Sequence, residues 1–479
     1  MNIYNDKDLE EFDKNIKKII KKAKVQSLAV FEPSKKDTEK IQKIILDYVK
    51  EKKRKIYGGY ALNEIIRSKN KDDVFYDDDT DLADIDIYSN DPINDICNVC
   101  DILADKGYKR VVGQEAQHEG TYSVFWEFIN VLDVSYVPTN IYHKIPFEKI
   151  NDIIFTHPSF IKIDSFRMFT DPFYFEQRLE KQFKRFQIVE KYYSMKIINK
   201  PLIINNNKID DKIIINILDE IHNFVVNNSS LILFDSFCYN YYVEQSNITK
   251  KNKNIKTINT NNFMMISTDF KNDCNSICKL LKKKFNNSNN ITKIEQFPFF
   301  QFYGRSMTMF YNDTPVLFIF DNDNKCIPFQ QINPIKFHKT EKNKKYDKND
   351  FIHIATFDFT LLMSMIMWIK HRVIESKDLM YYYKTMSSHL VQMKHNYFKI
   401  NNNKTIFDDT PFEEFIVNCK GKPFNPIRDT RIKREKKRLE KKKIIWRYDP
   451  LENRDRPNYI FPNISGNTIK NNNFLIIDC

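Results

Sequence analysis

Apolar residues recur three and four positions apart through the first fifty residues. Ile16, Ile19 and Ile20 form one stripe, and Ile41, Ile44, Ile45 and Tyr48 another, with Pro33-Ser34 breaking the chain between them. That spacing lines one face of a helix, so residues 1–50 are predicted to be helical. The period then changes. Residues 60–66 read as the start of a helix, and Asp84-Ile85-Asp86-Ile87-Tyr88 alternates as a strand does. A short amphipathic helix is predicted over 94–106, and strand-like pieces over 109–114, 121–128 and 130–136. Residues 164–193 read as a helix pair around Asp171-Pro172, since proline suits a first helical turn. The apolar run over 359–373 is too short for a membrane span and is predicted to be a core helix. Residues 450–479 read as irregular.

The pattern is written twice. Offset by 177 positions, residues 235–240 lie over 58–63, and offset by 178, residues 269–278 resemble 91–100. Three more strand-like pieces follow in the second copy, ending at 316–320. Asn262 and Met264 stand there where the first copy has Asp84 and Asp86. The second copy is expected to keep the scaffold and lose the chemistry. Asparagine-rich stretches at 246–262 and 285–290 are expected to be flexible insertions within it.

Composition sharpens this only in places. The chain has eight glycines in 479 residues, and two of them are adjacent, Gly58 and Gly59. They sit at the predicted helix start, where free N–H groups and the helix dipole favour phosphate. Twenty-five residues past the second lies Asp84-Ile85-Asp86, whose two carboxylates share one face of a strand. Asp133 lies inside the apolar strand 130–136, where a buried acid needs a partner such as a metal. Together these make a site for a magnesium–nucleotide complex. Asp77-Asp78-Asp79 and Asp81 read as a solvated acidic loop.

The net charge is +13, and its location matters. Residues 420–447 hold thirteen lysines and arginines against Asp429, Glu435 and Glu440, a net of +10. That block points to a polyanion or to a solvated helix, and Trp446 and Tyr448 add rings able to stack on bases. The polar, charged start shows no signal peptide, and the eight scattered cysteines are expected to be reduced thiols. Cys97 and Cys100 are spaced as half a zinc site, but buried thiols are the expected reading.

Gly58-Gly59, Asp84-Ile85-Asp86 and Asp133 resemble the signature of the polymerase β-type nucleotidyltransferase superfamily. More narrowly, residues 56–63 and Asp171-Pro172 with Arg178 to Arg185 resemble the poly(A) polymerase catalytic subunit of poxviruses and other large nucleocytoplasmic DNA viruses. The second residue of the family's glycine motif is often serine, so Gly59 keeps the backbone role without a hydroxyl.

The resemblance implies an α+β fold. It divides the chain into an N-terminal helical region (1–50), a catalytic nucleotidyltransferase domain (51–200), a degenerate nucleotidyltransferase-like domain (201–400) and a basic C-terminal segment (401–479). It implies addition of AMP from ATP to RNA 3′ ends, with Mg2+ or Mn2+. Asp84, Asp86 and Asp133 are then the catalytic and metal-binding acids, and Gly58, Gly59, Asn63 and Lys181 bind the nucleotide. Its implied partners are the RNA 3′ end and either a second copy or a processivity subunit, with no membrane. Its implied location is the host cytoplasm, in viral factories, and the virion. Two rivals stay open: another nucleotidyltransferase, for oligoadenylate synthesis or tRNA end addition, or a non-catalytic RNA-binding processivity partner.

Overall fold

The computed structural model describes residues 3–30, 35–76, 83–118, 120–203, 212–285, 290–322, 325–334, 346–423, 426–442, 445–452, 454, 456, 465 and 466. The Pro33-Ser34 break, the acidic run from Asp77 to Asp81, most of the 285–290 stretch and most of the chain's end lie outside them.

The chain opens with α1 (Asp6–Val30) and α2 (Lys35–Glu51). A first sheet follows from β1 (Lys55–Tyr57), β2 (Ile85–Ser89), β3 (Val111–Glu115), β4 (Thr121–Trp126), β5 (Ile129–Tyr136), β6 (Phe147–Ile150) and β7 (Ile153–Thr156). Its helices are α3 (Gly58–Arg67) after β1 and α4 (Pro92–Asp105) after β2. The short α5 (Thr139–Tyr142) follows β5, and α6 (Pro158–Phe169) and α7 (Pro172–Tyr193) follow β7. The second sheet contains β8 (Leu231–Phe234), β9 (Phe263–Ser267), β10 (Ile291–Gln296), β11 (Ser306–Tyr311), β12 (Thr314–Asp321), β13 (Ile327–Ile332), β14 (Ile352–Ala355) and β15 (Cys419–Lys420). With it run α8 (Lys212–Val225), α9 (Ser236–Ser246), α10 (Phe270–Lys284), α11 (Phe357–Val373) and α12 (Lys377–Ile400). Last come α13 (Pro426–Leu439) and β16 (Arg447–Tyr448).

The two sheets have one topology. Their strand orders are β16-β3-β4-β5-β2-β1-β7-β6 and β10-β11-β12-β9-β8-β14-β13-β15. Apart from the added edge strands, each position of the first has its counterpart in the second. The central pairs β2·β5 and β9·β12 are both parallel, and so are β1·β7 and β8·β14. The repeat in the sequence is a repeat of architecture, and the α+β class follows from it.

Compactness divides the chain into two units. One comprises Met1–Val137, Ile145–Ile161 and Asn425–Phe461, the other Pro138–Lys144, Lys162–Phe424 and Pro462–Cys479. These limits cut across the sequence-based domains. Residues 35–50 belong with the first sheet because α2 buries Ile41, Ile45 and Tyr48, whose hydroxyl donates to Asp95 at 2.6 Å. In the second unit α11 is buried along nearly its whole length, as its apolar sequence predicts. Among the described residues no helix is long and apolar enough to cross a membrane.

Two expectations need correction. Residues 246–262 are not a loose insertion: Asn240 brackets Ile258, donating to its carbonyl and accepting from its amide, both at 2.8 Å, and Ile248 and Ile255 are buried. Nor are all the cysteines thiols. β13 and β15 pair so that Cys419 faces Pro328, and Cys326 is disulfide-bonded to Cys419 across a sequence separation of 93. Cys278 is also disulfide-bonded, whereas Cys97, Cys100, Cys238 and Cys274 are free and buried.

Candidate active site

β1 ends at Tyr57, and the chain turns into α3 at Gly58 with φ +73°. That left-handed conformation is open to glycine and strained for other residues. Space makes the same demand, since a Cβ on Gly58 would overlap Oδ2 of Asp86. The antiparallel register puts Tyr57 opposite Asp86, so the turn lies against that carboxylate. The N-cap residue of α3 makes no side-chain hydrogen bond to the first turn. The helix therefore offers backbone N–H groups and its positive end beside the acid, a seat for phosphate.

β2 runs between β1 and β5. In the parallel β2·β5 pair Asp86 is the register partner of Asp133. Register partners project to the same face from strands about 4.8 Å apart. Asp133 is held from two sides: Ser123, opposite it on β4, donates to Oδ1 at 2.5 Å, and Asn130 donates to the same oxygen at 3.0 Å. Both bonds fall on one oxygen, which fixes the carboxylate's rotation. Two positions on, Ser135 Oγ is 2.7 Å from the Tyr57 hydroxyl and 3.0 Å from that of Thr121. The Tyr57 ring stacks on Tyr88 with centroids 3.9 Å apart. This polar patch belongs to the sheet itself, not to a loop. Ser123 and Asn130 carry no motif of their own in the sequence; Ser123 is a polar residue facing the acid from the neighbouring strand, and Asn130 lies three positions before the acid on the same strand.

The structure thus brings Gly58, Asp86 and Asp133 together. Asp84 is exposed and immediately precedes β2, two residues from Asp86. Among the described residues no three acid, histidine or cysteine side chains converge as a ready-made metal cage. The donor set still suits a divalent cation. Two facing carboxylates and a third two positions away are hard oxygen ligands of the kind magnesium and manganese take, and the missing side chain at Gly58 is what lets the Asp86 carboxylate lie against the turn.

Other candidates stand elsewhere. Gly59 lies in the first turn of α3. Asn63 is buried, and its Oδ1 accepts from the amides of Phe75 and Tyr76, each at 3.1 Å. Its side-chain carbonyl anchors that loop to the helix. Lys181 is exposed on α7, in the second unit, as are Arg178 and Lys184. Trp446 and Tyr448 are not platforms for bases. They are 3% and 1% exposed, because β16 pairs with β3, and the Tyr448 hydroxyl donates to Asp101 at 2.6 Å. Cys97 and Cys100 are buried thiols; burial pushes the Cys97 thiol up to about 12.

The second sheet has the same seat without the chemistry. Met264 and Phe318 are register partners where Asp86 and Asp133 are in the first. At the turn, Asp235 replaces Gly58 and keeps the left-handed geometry, with φ +65°. Burial pushes its carboxyl up to about 6, only partly offset by the Ser236 amide and Tyr383.

Comparison with known proteins adds to this geometry. Residues 43–175 match the family model described as "Poly(A) polymerase catalytic subunit". Residues 187–479 match "APMV, Putative poly(A) polymerase, catalytic subunit, C-terminal". The chain is 30% identical over 478 residues to a "Putative poly(A) polymerase catalytic subunit" of Acanthamoeba polyphaga mimivirus, covering 94% of this chain and 80% of that one. A protein of the same name from African swine fever virus is 27% identical over 168 residues, 34% of this chain and 35% of that protein. The solved structure of the Megavirus polyadenylate synthase superposes with a TM-score of 0.87 at 31% identity, covering 98% of this chain and 93% of that one.

Proposed function

The chain belongs to the poly(A) polymerase catalytic subunit family, and from that premise we propose that Asp86, Asp133 and Asp84 carry nucleotidyl transfer from ATP to an RNA 3′ end. The observation that carries the reading is the parallel register of Asp86 with Asp133 beside the Gly58 turn. Magnesium or manganese bound by these acids would supply positive charge for the triphosphate and for an ionising 3′-hydroxyl.

The chain's own residues do the rest. Ser123 and Asn130 hold Asp133 through one oxygen, so its other oxygen has a fixed direction for the acceptor hydroxyl. The Gly58 turn and the first amides of α3 seat the β- and γ-phosphates and leave the α-phosphate in line with that hydroxyl. Asp86 lies between the two, facing both the turn and Asp133.

The test is extension of a short labelled RNA with each nucleotide in turn, in magnesium and in manganese. Runs of A from ATP alone support the reading. A short fixed product using C and A, or oligoadenylate made without RNA, favours the rival transferases. RNA binding without pyrophosphate release from ATP favours the non-catalytic one.

Partner and place belong to the same proposal. The apolar stripe of α1 is exposed at Leu9, Phe12, Ile16 and Ile19, a face that a protein partner would cover. Mass measurement of the purified chain separates a second copy from a separate processivity subunit. The enzyme is proposed to act in viral factories of the host cytoplasm and in the virion, which localisation of a tagged chain checks.

A further inference from the structure

We propose that α13 is a rail for the phosphates of single-stranded RNA. The proposal rests on the catalytic reading for the identity of the strand, since the acceptor of this reaction is an RNA chain. The helix itself supplies the chemistry. Arg428, Arg431, Lys433, Lys436 and Arg438 are all exposed along it. Its one exposed acid among the described residues, Glu435, sits 3.7 Å from Arg438 with both side chains mostly in solvent, a pairing worth little.

Among the described side chains no buried apolar residue accounts for this helix. Surface helices normally persist because they bury an apolar stripe. Here Ile432 and Leu439 are 54% and 77% exposed. The inner face is polar instead: the Thr430 hydroxyl donates to the Gln117 carbonyl at 2.7 Å, and Arg434 reaches the Ala116 carbonyl at 3.4 Å. Like charges three and four residues apart weaken a helix further. The sequence thus gives up helix stability to hold cations around its solvent-facing side, an arrangement suited to a polyanion lying along it.

The attachment places that surface usefully within its unit. Residues 116 and 117 lead from β3 toward β4, whose Ser123 orients Asp133. Beyond the helix, β16 pairs with the same β3. The helix is therefore tied on both sides to the strand pair next to the acceptor-side acid. Its fourteen residues span about 20 Å, room for several successive phosphates. With Trp446 and Tyr448 buried, the segment offers charge and no stacking rings. Binding there should ignore base identity and weaken steeply with salt.

The test replaces four exposed cations in the full chain, R431Q/K433Q/K436Q/R438Q; glutamine keeps helix propensity. Oligo(A) and oligo(C) binding is measured from about 50 to about 200 mM salt, with kcat and KM for RNA and for ATP. The expected result is roughly 10- to 100-fold weaker binding of both oligomers, and a log–log salt slope shallower by about 2 to 3. KM for RNA rises by the same factor, while kcat at saturating RNA, KM for ATP and melting temperature stay unchanged. An unchanged salt slope and RNA KM overturns the proposal. So does unchanged RNA affinity with loss of binding to an acidic protein or to a second copy. Asp133→Ala, measured alongside, should bind RNA with wild-type affinity and slope but not extend it. If it extends RNA normally, the catalytic reading fails, and the slope comparison still judges the rail.

Discussion

The two sheets share their connecting details as well as their order. In the first, Ser89 Oγ accepts from the Asp91 amide at 2.9 Å, and Asn94 donates to Asp91 at 2.7 Å. In the second, Ser267 Oγ accepts from the Asp269 amide at 3.0 Å, and Asn272 donates to Asp269 at 2.9 Å. The turn from strand to helix is the same in both. They part at the polar face, where Asp86 and Asp133 are matched by Met264 and Phe318, and Gly58 by Asp235. Scaffold and chemistry are separable here. The turn hydrogen bonds stabilise the fold in each copy, and only the first copy also has facing acids beside an open glycine turn.

That comparison can be broken, most sharply at the acids. Asp86→Ala or Asp133→Ala should lower kcat for RNA extension on the order of 10³-fold or more, with melting temperature nearly unchanged. Met264→Ala, the matched change in the other sheet, should leave kcat alone and cost about 2–5 kcal/mol of stability, because that side chain is buried. Loss of activity in both would mean that the second sheet is not a silent copy.

Next in size is Gly58→Ala. Overlap with Asp86 and the positive φ should lower kcat by roughly 10²-fold, while Asp235→Ala should not affect it. Ser123→Ala, which frees one side of Asp133, should lower kcat about 10-fold with KM for ATP little changed. The smallest effect concerns pH. Folding raises the Asp235 carboxyl from its ordinary 3.8 to about 6, so the folded chain prefers it protonated. Its contribution to stability is fully present below about pH 4 and is lost as pH rises to about 6, a change of no more than about 3 kcal/mol. Asp235→Asn cannot ionise and tolerates positive φ. It should melt like the wild type at pH 4 and higher than it at pH 7, with activity unaltered.

Much of this was legible because it is local. Alternation through Asp84-Ile85-Asp86 and the acid inside an apolar strand at Asp133 are period-2 signals, and both held as strands. A glycine pair in a glycine-poor chain marked the turn. The repeat could be read because Asp269 and Asn272 match Asp91 and Asn94 at one offset; that Ser89 and Ser267 play matching roles shows only in the structure. What stayed hidden depends on pairing across long separations. Trp446 and Tyr448 looked available until β16 added to β3, more than three hundred residues earlier in the chain. Cys326 and Cys419 meet only because β13 and β15 pair. Asn63 gave no sign of its loop contacts, since an asparagine in a helix is equally suited to a ligand or to backbone amides.

The aspartate at the second turn also makes the silent copy hard to revive. In the first sheet the Asp86 carboxylate fills the space that a side chain at position 58 would need, so a carboxylate placed at 264 would meet the Asp235 side chain at the matching turn. Facing acids in the second sheet would therefore need glycine at 235 as well as changes at 264 and 318.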